Sequence, residues 1–320
     1  VNISTSVLPK PLTKSAYKST IGFRNITEGL SMSYLIVSDS SCNIYDLYGE
    51  NYKTVPLHIM INGTDWADTP DTNIDEFNDA LDNNTGATST SCPSPDEWLN
   101  AFGDAEEIYC FTISHNLSGS FNCAVSAKHI YEEQHPDRHV YVIDSLATGP
   151  KMILMIQRLN KLISEGITGE AAVEKVTEYR NKETALLFTL QSIKRLADNG
   201  RVNPLLVKAI GILDLRIIGE ASPEGTINLA GKHRGAAKVL KGTYKQMLNH
   251  GYNGGKIIIS NNQNPEDANA LADMARKQFG NDVEVEIHRT TELCSFYAEK
   301  YGYIVGFEVD ENAKQHHLFE

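Results

Sequence analysis

From Tyr34 onward, short runs of β-branched and aromatic residues alternate with stretches whose apolar positions recur at helical spacing. Tyr34–Val37, Val55–Ile61, Glu107–Ile113 and Val140–Ile143 have the pattern of buried strands. Asp71–Leu81, Pro95–Phe102, Ser120–Glu133 and Lys151–Ser164 have that of helices. Such alternation requires crossovers, so this half of the chain predicts a mostly parallel sheet covered on both sides. After about residue 181 the order changes. Ala185–Leu190 reads as a strand, followed by a short helix to Asp198, a turn at Gly200-Arg201 and an apolar segment through Leu213. Ile217–Gly219 and Thr226–Ala230 flank the turn sequence Ser222-Pro223-Glu224-Gly225 and predict a hairpin. Gly235–Asn249 and Pro265–Phe279 predict helices; Lys256–Ser260, Val283–Ile287 and Tyr303–Phe307 predict strands.

The same pattern divides the chain. Residues 1–31 are Ser/Thr-rich, with Lys10, Lys14, Lys18 and Arg24 against the single acid Glu28, and are expected to form an arm of unassigned role. Residues 32–181 are expected to form an α/β domain and residues 182–320 a smaller α+β domain, with a cleft where the two meet. Ligands of open parallel sheets bind beyond the carboxyl ends of the strands.

Composition narrows the class. With 29 Lys+Arg against 41 Asp+Glu, the net charge of −12 argues against nucleic-acid binding, which needs a basic face to neutralise phosphates. At 41% hydrophobic and 22% charged, the chain has the make-up of a soluble globular protein. The apolar segment Leu205–Leu213 is broken by Lys208 and Gly211, far short of the roughly 20 residues that span a bilayer. No membrane helix is expected. Five cysteines without a CxxC pair suit a reducing compartment, taken as the cytosol, and support neither a disulfide framework nor a metal site.

Two hydroxyl-rich segments carry the candidate chemistry. Thr88-Ser89-Thr90-Ser91-Cys92-Pro93-Ser94-Pro95 leads into one helix, and Ser114-His115-Asn116-Leu117-Ser118-Gly119-Ser120 joins a strand to another. A strand, a hydroxyl-bearing turn and a helix N-terminus together favour an anion, because free N–H groups and the helix dipole converge there. Neither loop contains a lysine, so a singly charged carboxylate is a better guest than a nucleoside triphosphate. The same residues also serve as ordinary helix caps. Asp39-Ser40 and Asp144-Ser145 follow the first and fourth strands and either line the same cleft or make turns.

Other motifs fail on inspection. Gly225 through His233 has five residues, not four, between its glycines, and His233 stands where a phosphate-binding loop has its hydroxyl. There is no G-x-G-x-x-G after the first strand, and no G-x-S-x-G surrounds Ser91 or Ser118.

Taken in order, these pieces resemble the DegV family of fatty-acid-binding proteins, from about Ser33 to Phe307. Thr90-Ser91-Cys92-Pro93-Ser94 stands where the family has T-S-Q-P-S, and Leu117-Ser118-Gly119-Ser120 where it has L-S-G-T. Asn199-Gly200-Arg201 is similar to its G-G-R-I turn, and Lys232-His233-Arg234-Gly235 to its K-V-R-G segment. The resemblance implies a two-domain, non-catalytic carrier that encloses one long-chain fatty acid and presents its carboxylate to a separate fatty acid kinase for phospholipid synthesis. It implies that Ser89, Thr90, Ser91, Ser114 and His115 hold the carboxylate, supported by the helix beginning near Ser118 and Gly119. The chain departs from the family at Cys92 (Gln), at His115 (Ser) and at Tyr297-Ala298-Glu299-Lys300-Tyr301, which replaces a glycine-rich segment beginning with His. Tyr297 there offers a phenolic O–H as a further head-group contact. The competing expectation is a serine hydrolase or acyltransferase using Ser91 or Ser114 with His115, with Asp144 as third partner.

Overall fold

The computed structural model describes residues 33–202 and 215–313; the expected N-terminal arm and the apolar segment ending at Leu213 lie outside the described residues. Strands β1 (Tyr34–Asp39) and β2 (Tyr52–Val55) are parallel neighbours. Val55–Ile61, expected as one strand, is broken at Pro56 and Leu57. Pro56 has no N–H to continue a ladder, and the Leu57 N–H donates instead to Ser40 Oγ at 2.9 Å. The chain then builds a separate antiparallel sheet from β3 (His58–Ile61), β4 (Thr64–Ala67) and, after helix α1 (Ile74–Asp82), β5 (Thr88–Ser91), in the order β4-β3-β5. Helix α1 starts at Ile74 rather than Asp71 because Asn73 caps it, accepting from the N–H groups of Asp75 and Glu76.

Helix α2 (Pro95–Phe102) opens on a capping box between Ser94 and Glu97, with Pro95 in the first turn. Strand β6 (Glu107–Thr112), helix α3 (Ser120–Gln134) and strand β7 (His139–Asp144) complete an all-parallel sheet of order β2-β1-β6-β7. Helices α4 (Pro150–Ser164) and α5 (Gly169–Lys182) follow; the sequence pattern had not announced α5. Along α4, Met152, Ile153, Leu154, Met155, Ile156, Leu159 and Leu162 are all buried. It packs against Ile36, Tyr109 and Phe111 of the parallel sheet and against Ile258 of a second sheet. The consecutive buried residues Met152–Ile156 give its first turns apolar side chains all round, as suits a helix between two layers.

That second sheet is six-stranded and mixed. Its elements are β8 (Thr184–Leu190), helix α6 (Lys194–Asp198), β9 (Leu215–Ala221), β10 (Ile227–Arg234), helix α7 (Ala236–Asn249), β11 (Gly255–Asn261), helix α8 (Pro265–Phe279), β12 (Val283–Arg289), helix α9 (Glu292–Ala298) and β13 (Tyr303–Glu308). The strand order is β10-β9-β8-β13-β11-β12, with only β11 and β12 parallel. Strand alternation sorts the faces. Leu187, Ile218, Ile257, Val305 and Phe307 pack against α7 and α8, whereas Leu186, Phe188, Leu190, Ile217 and Ile304 face the other way. Gly306 is required where α4 crosses β13, since a Cβ there would come within 2.7 Å of the Lys151 backbone nitrogen. The whole is a mixed α/β fold: a parallel-sheet α/β layer joined to a separate mixed-sheet layer, as the strand pattern predicts.

Candidate functional site

Where the carboxyl ends of β6 and β7 approach the second sheet, side chains line an apolar cavity of about 90 Å³. Leu186, Phe188 and Leu190 from β8 and Ile304 from β13 form one wall; Leu293, Cys294, Tyr297 and Ala298 of α9 form another. Ile113 and Leu117 beyond β6, and Ala147 and Thr148 beyond β7, close it from the parallel sheet. At about 10–15 Å³ per water-sized sphere there is room for several waters, yet apolar walls offer them too few partners and such a space stays dry.

The Tyr297 hydroxyl lies 2.8 Å from Thr90 Oγ1, tying α9 to the edge strand β5. Burial pushes the Tyr297 phenol upward, opposed by the Thr90 hydrogen bond and the nearby Arg201 charge, so it is a neutral donor at physiological pH. Arg201, on the cavity wall, donates from Nε to the Leu117 carbonyl at 3.0 Å and from its guanidinium to the Asn199 carbonyl. Tyr297, tied to Thr90, and Arg201 therefore stand on the wall of an otherwise greasy space.

The other anticipated residues are distributed as follows. Thr88–Ser91, expected as a loop, is the edge strand β5 paired with β3, and its alternation exposes Ser89 and Ser91 while Thr88 and Thr90 turn inward. The β-branched threonines account for this, since they fit a pleated, half-buried surface. Ser114 is buried, donating to the Gly225 carbonyl at 2.7 Å and accepting from the Asn116 N–H at 3.2 Å. Ser118 Oγ accepts from the Ser120 N–H at 3.3 Å, and Gly119 precedes α3, where a Cβ would stand 3.1 Å from Cys92 Sγ. His115 is exposed, its Nδ1 2.5 Å from Asp144 Oδ2, and Asp144 Oδ1 accepts the N–H groups of His115 (3.3 Å) and Leu146 (3.0 Å).

Asp39 is fully buried and accepts from Ile113 N–H (2.9 Å), Ser120 Oγ (2.7 Å) and Ser41 Oγ (2.5 Å). Burial raises its carboxyl to about 6 against the pull of those donors. The start of α3, expected to attract an anion, thus has an acid of the chain itself bonded to its first residue. Ser40 accepts from Leu57, and Ser145 exchanges hydrogen bonds with Ala147, donating to its carbonyl at 3.0 Å. These serines hold turns.

Arg201 is the site residue that sequence reasoning did not single out. Its signal was present in the Asn199-Gly200-Arg201 turn, but only the fold brings that turn to the cavity. Among the described residues, no group of three or more His, Cys, Asp or Glu could hold a metal ion, and no helix is long and apolar enough to cross a membrane.

An all-parallel sheet facing a mixed sheet, with an apolar cavity where they meet, defines a two-layer α/β protein built around an enclosed site. Residues 33–304 match the family model described as "Uncharacterised protein, DegV family", and the chain belongs to the DegV family. A DegV domain-containing protein of Streptococcus gordonii is 38% identical over 282 residues, covering 87% of this chain and 100% of that protein. The crystal structure of a DegV family protein from Eubacterium eligens loaded with heptadecanoic acid is similar with a TM-score of 0.83 at 37% identity, covering 87% of this chain and 100% of that one. The Streptococcus pneumoniae Fatty Acid Kinase (Fak) B3 protein loaded with linoleic acid has a TM-score of 0.84 at 37% identity, with the same coverage.

Proposed function

We propose that this chain binds one long-chain fatty acid without transforming it and presents the carboxylate to a partner fatty acid kinase for phospholipid synthesis. The observation that carries this reading is the apolar cavity lined by Arg201 and by Tyr297, whose hydroxyl meets that of Thr90. Each methylene that the protein buries supplies roughly 0.8 kcal/mol before the costs of association. Each hydrogen bond to the charged head adds about 1.5–3 kcal/mol. The tail gives affinity; the polar rim fixes depth and orientation. Thr90 and Tyr297 hold the carboxylate, Arg201 balances its charge, and the Ser114–Gly119 turn, with His115 and Ser118, shapes the mouth beside Ser89 and Ser91. Residues 32–181 and 182–320 act as the two domains that close on the tail. Relatives loaded with heptadecanoic and linoleic acids, one of them a fatty acid kinase B protein, support the ligand class and the partner. Five free thiols support a cytosolic setting.

The hydrolase reading draws on the His115–Asp144 pair. It lacks a nucleophile: the Ser114 hydroxyl donates to the Gly225 carbonyl, and Ser91 lies on the exposed side of β5. Native mass spectrometry of the purified chain, before and after incubation with a long-chain fatty acid, tests the proposal. One acyl ligand per chain is expected; a protein that takes up none overturns it. Turnover of a chromogenic ester that disappears in His115→Ala would favour the hydrolase. Adding a fatty acid kinase and ATP should yield acyl phosphate only when the fatty acid is held by this chain.

A further inference from the structure

Cys92 and Cys123 hold their sulfurs 3.9 Å apart. Both are partly exposed, whereas Cys42, Cys110 and Cys294 are buried. Cys92 lies just beyond β5, two residues past Thr90, and Cys123 lies in the first turn of α3. The pair therefore joins the strand that carries Thr90 to the helix entered through the Ser118-Gly119 turn. No CxxC spacing announces it; the fold brings together residues 31 apart in sequence. Where the DegV pattern has Gln, this chain has Cys92, so the site belongs to this chain rather than to the family pattern.

We infer that Cys92 and Cys123 form an oxidation site, closed to an intramolecular disulfide by a hydroperoxide. A disulfide needs the sulfurs at about 2.05 Å, so the two must approach by roughly 2 Å. The Cys92 thiolate attacks the terminal peroxide oxygen; the O–O bond breaks, the alcohol or water leaves, and a sulfenic acid forms. Cys123 sulfur then attacks that sulfur. The S–O bond breaks, hydroxide departs with the Cys123 proton as water, and two electrons in all have passed from the thiols to the peroxide. Burial and the neighbouring thiol raise Cys123 to about 11, so it carries the proton that leaves with the hydroxide as water. Burial pushes Cys42 and Cys294 up to about 12 and Cys110 higher still, making them inert internal controls.

The bridge pins β5 beside the cavity rim and slows exchange of the acyl ligand; this consequence rests on the carrier reading, whereas the bridge itself does not. The test exposes the reduced full chain to hydrogen peroxide, denatures it, counts thiols and maps non-reduced peptides. The count is expected to fall from five to three, with a Cys92–Cys123 cross-linked peptide that dithiothreitol reverses. Cys92→Gln should retain its remaining four thiols under the same treatment, whereas Cys123→Ser should lose one thiol, stopping at the Cys92 sulfenic acid with no cross-linked peptide. Five thiols persisting in the wild type, or a bridge through any other cysteine or between chains, overturns the proposal. Release of a bound fluorescent fatty acid should slow severalfold in the bridged protein and recover on reduction; unchanged release overturns the gating role. A chain that binds no fatty acid sinks the carrier reading, and the thiol count still decides the oxidation site.

Discussion

The hydroxyls of Tyr297 and Thr90, 207 residues apart in sequence, meet at 2.8 Å beside the cavity and couple helix α9 to edge strand β5. A bound carboxylate would draw on both donors. Tyr297→Phe keeps the ring and its packing against Phe296, whose centroid is 4.8 Å away, but removes the phenolic donor. The dissociation constant for a long-chain fatty acid is expected to rise about tenfold or more, the equivalent of one charge-assisted hydrogen bond. Thr90→Val should act in the same direction, and the double variant should fall short of the summed effects because the two side chains share one hydrogen bond. Displacement of a fluorescent fatty acid measures all three; equal affinity in Tyr297→Phe would remove Tyr297 from the site.

Arg201 makes a second prediction that separates charge from grease. Arg201 lines the cavity, and its guanidinium is anchored to the carbonyls of Leu117 and Asn199. Arg201→Met preserves much of the aliphatic stem. It should weaken binding of the fatty acid about tenfold or more while leaving the corresponding fatty alcohol nearly unaffected. Paired titrations with the acid and the alcohol read the difference directly; parallel losses for both would make Arg201 a packing residue only.

Much of this arrangement was legible in the sequence because strands buried on both faces and amphipathic helices impose their periods locally. Glu107–Thr112, Pro95–Phe102 and Pro265–Phe279 fall where the pattern places them. What was illegible depends on tertiary context. The Thr88–Ser91 segment has turn composition but is stabilised as a strand by pairing with His58–Ile61. Helix α9 is only seven residues long, too short for periodicity to register, and its start is organised by Asp68, more than two hundred residues away. The site shows the same division: Thr90 and Tyr297 were nominated from local chemistry and family resemblance, but their meeting, and the arrival of Arg201 beside them, are products of the fold.

The start of α9 carries a pH dependence. Tyr45 Oη lies 2.5 Å from Asp68 Oδ1 and 2.7 Å from Glu292 Oε2, with both acids buried. One phenolic hydrogen cannot serve two acceptors, so a proton on Glu292 completes the chain from Glu292 to Tyr45 to Asp68. Burial first, and Asp68 second, raise Glu292 to about 9 from an ordinary 4.5. Between those values the folded state holds a proton that the unfolded chain releases. The associated stability is fully present below the lower value and is lost as pH rises through the upper one. Glu292→Gln retains a donor toward Tyr45 and cannot ionise. Relative to the wild type it should become progressively more stable from about pH 5 to about pH 8.5, by at most about tenfold in the unfolding constant per pH unit. Urea denaturation across that range measures the slope; parallel curves would mean that Glu292 ionises normally in the folded protein.

The segment after Tyr297 supplies the last prediction. Glu299 and Tyr301 adopt φ values of +55° and +64°, where L-residues with a Cβ are strained. Glycine adopts such positive φ values without this cost. The path is enforced by neighbours: Tyr301 N–H donates to the Asn262 carbonyl, and Asn264 Nδ2 donates to the Tyr301 carbonyl, both at 2.9 Å. Tyr301 is 45% exposed, so its ring contributes little burial. Tyr301→Gly relieves roughly 1–2 kcal/mol of backbone strain and gives back about 0.4–1 kcal/mol through the greater freedom of the unfolded chain. The net change should be neutral to about 1.6 kcal/mol stabilising, where Gly in the middle of a regular helix or strand is destabilising. Glu299→Gly is the contrasting control, because it also removes an ion pair to Arg195 at 3.5 Å and should gain less. Thermal melts of the two variants decide the matter: a Tyr301→Gly protein markedly less stable than the wild type would mean that the ring, and not the backbone, sets the conformation of this turn.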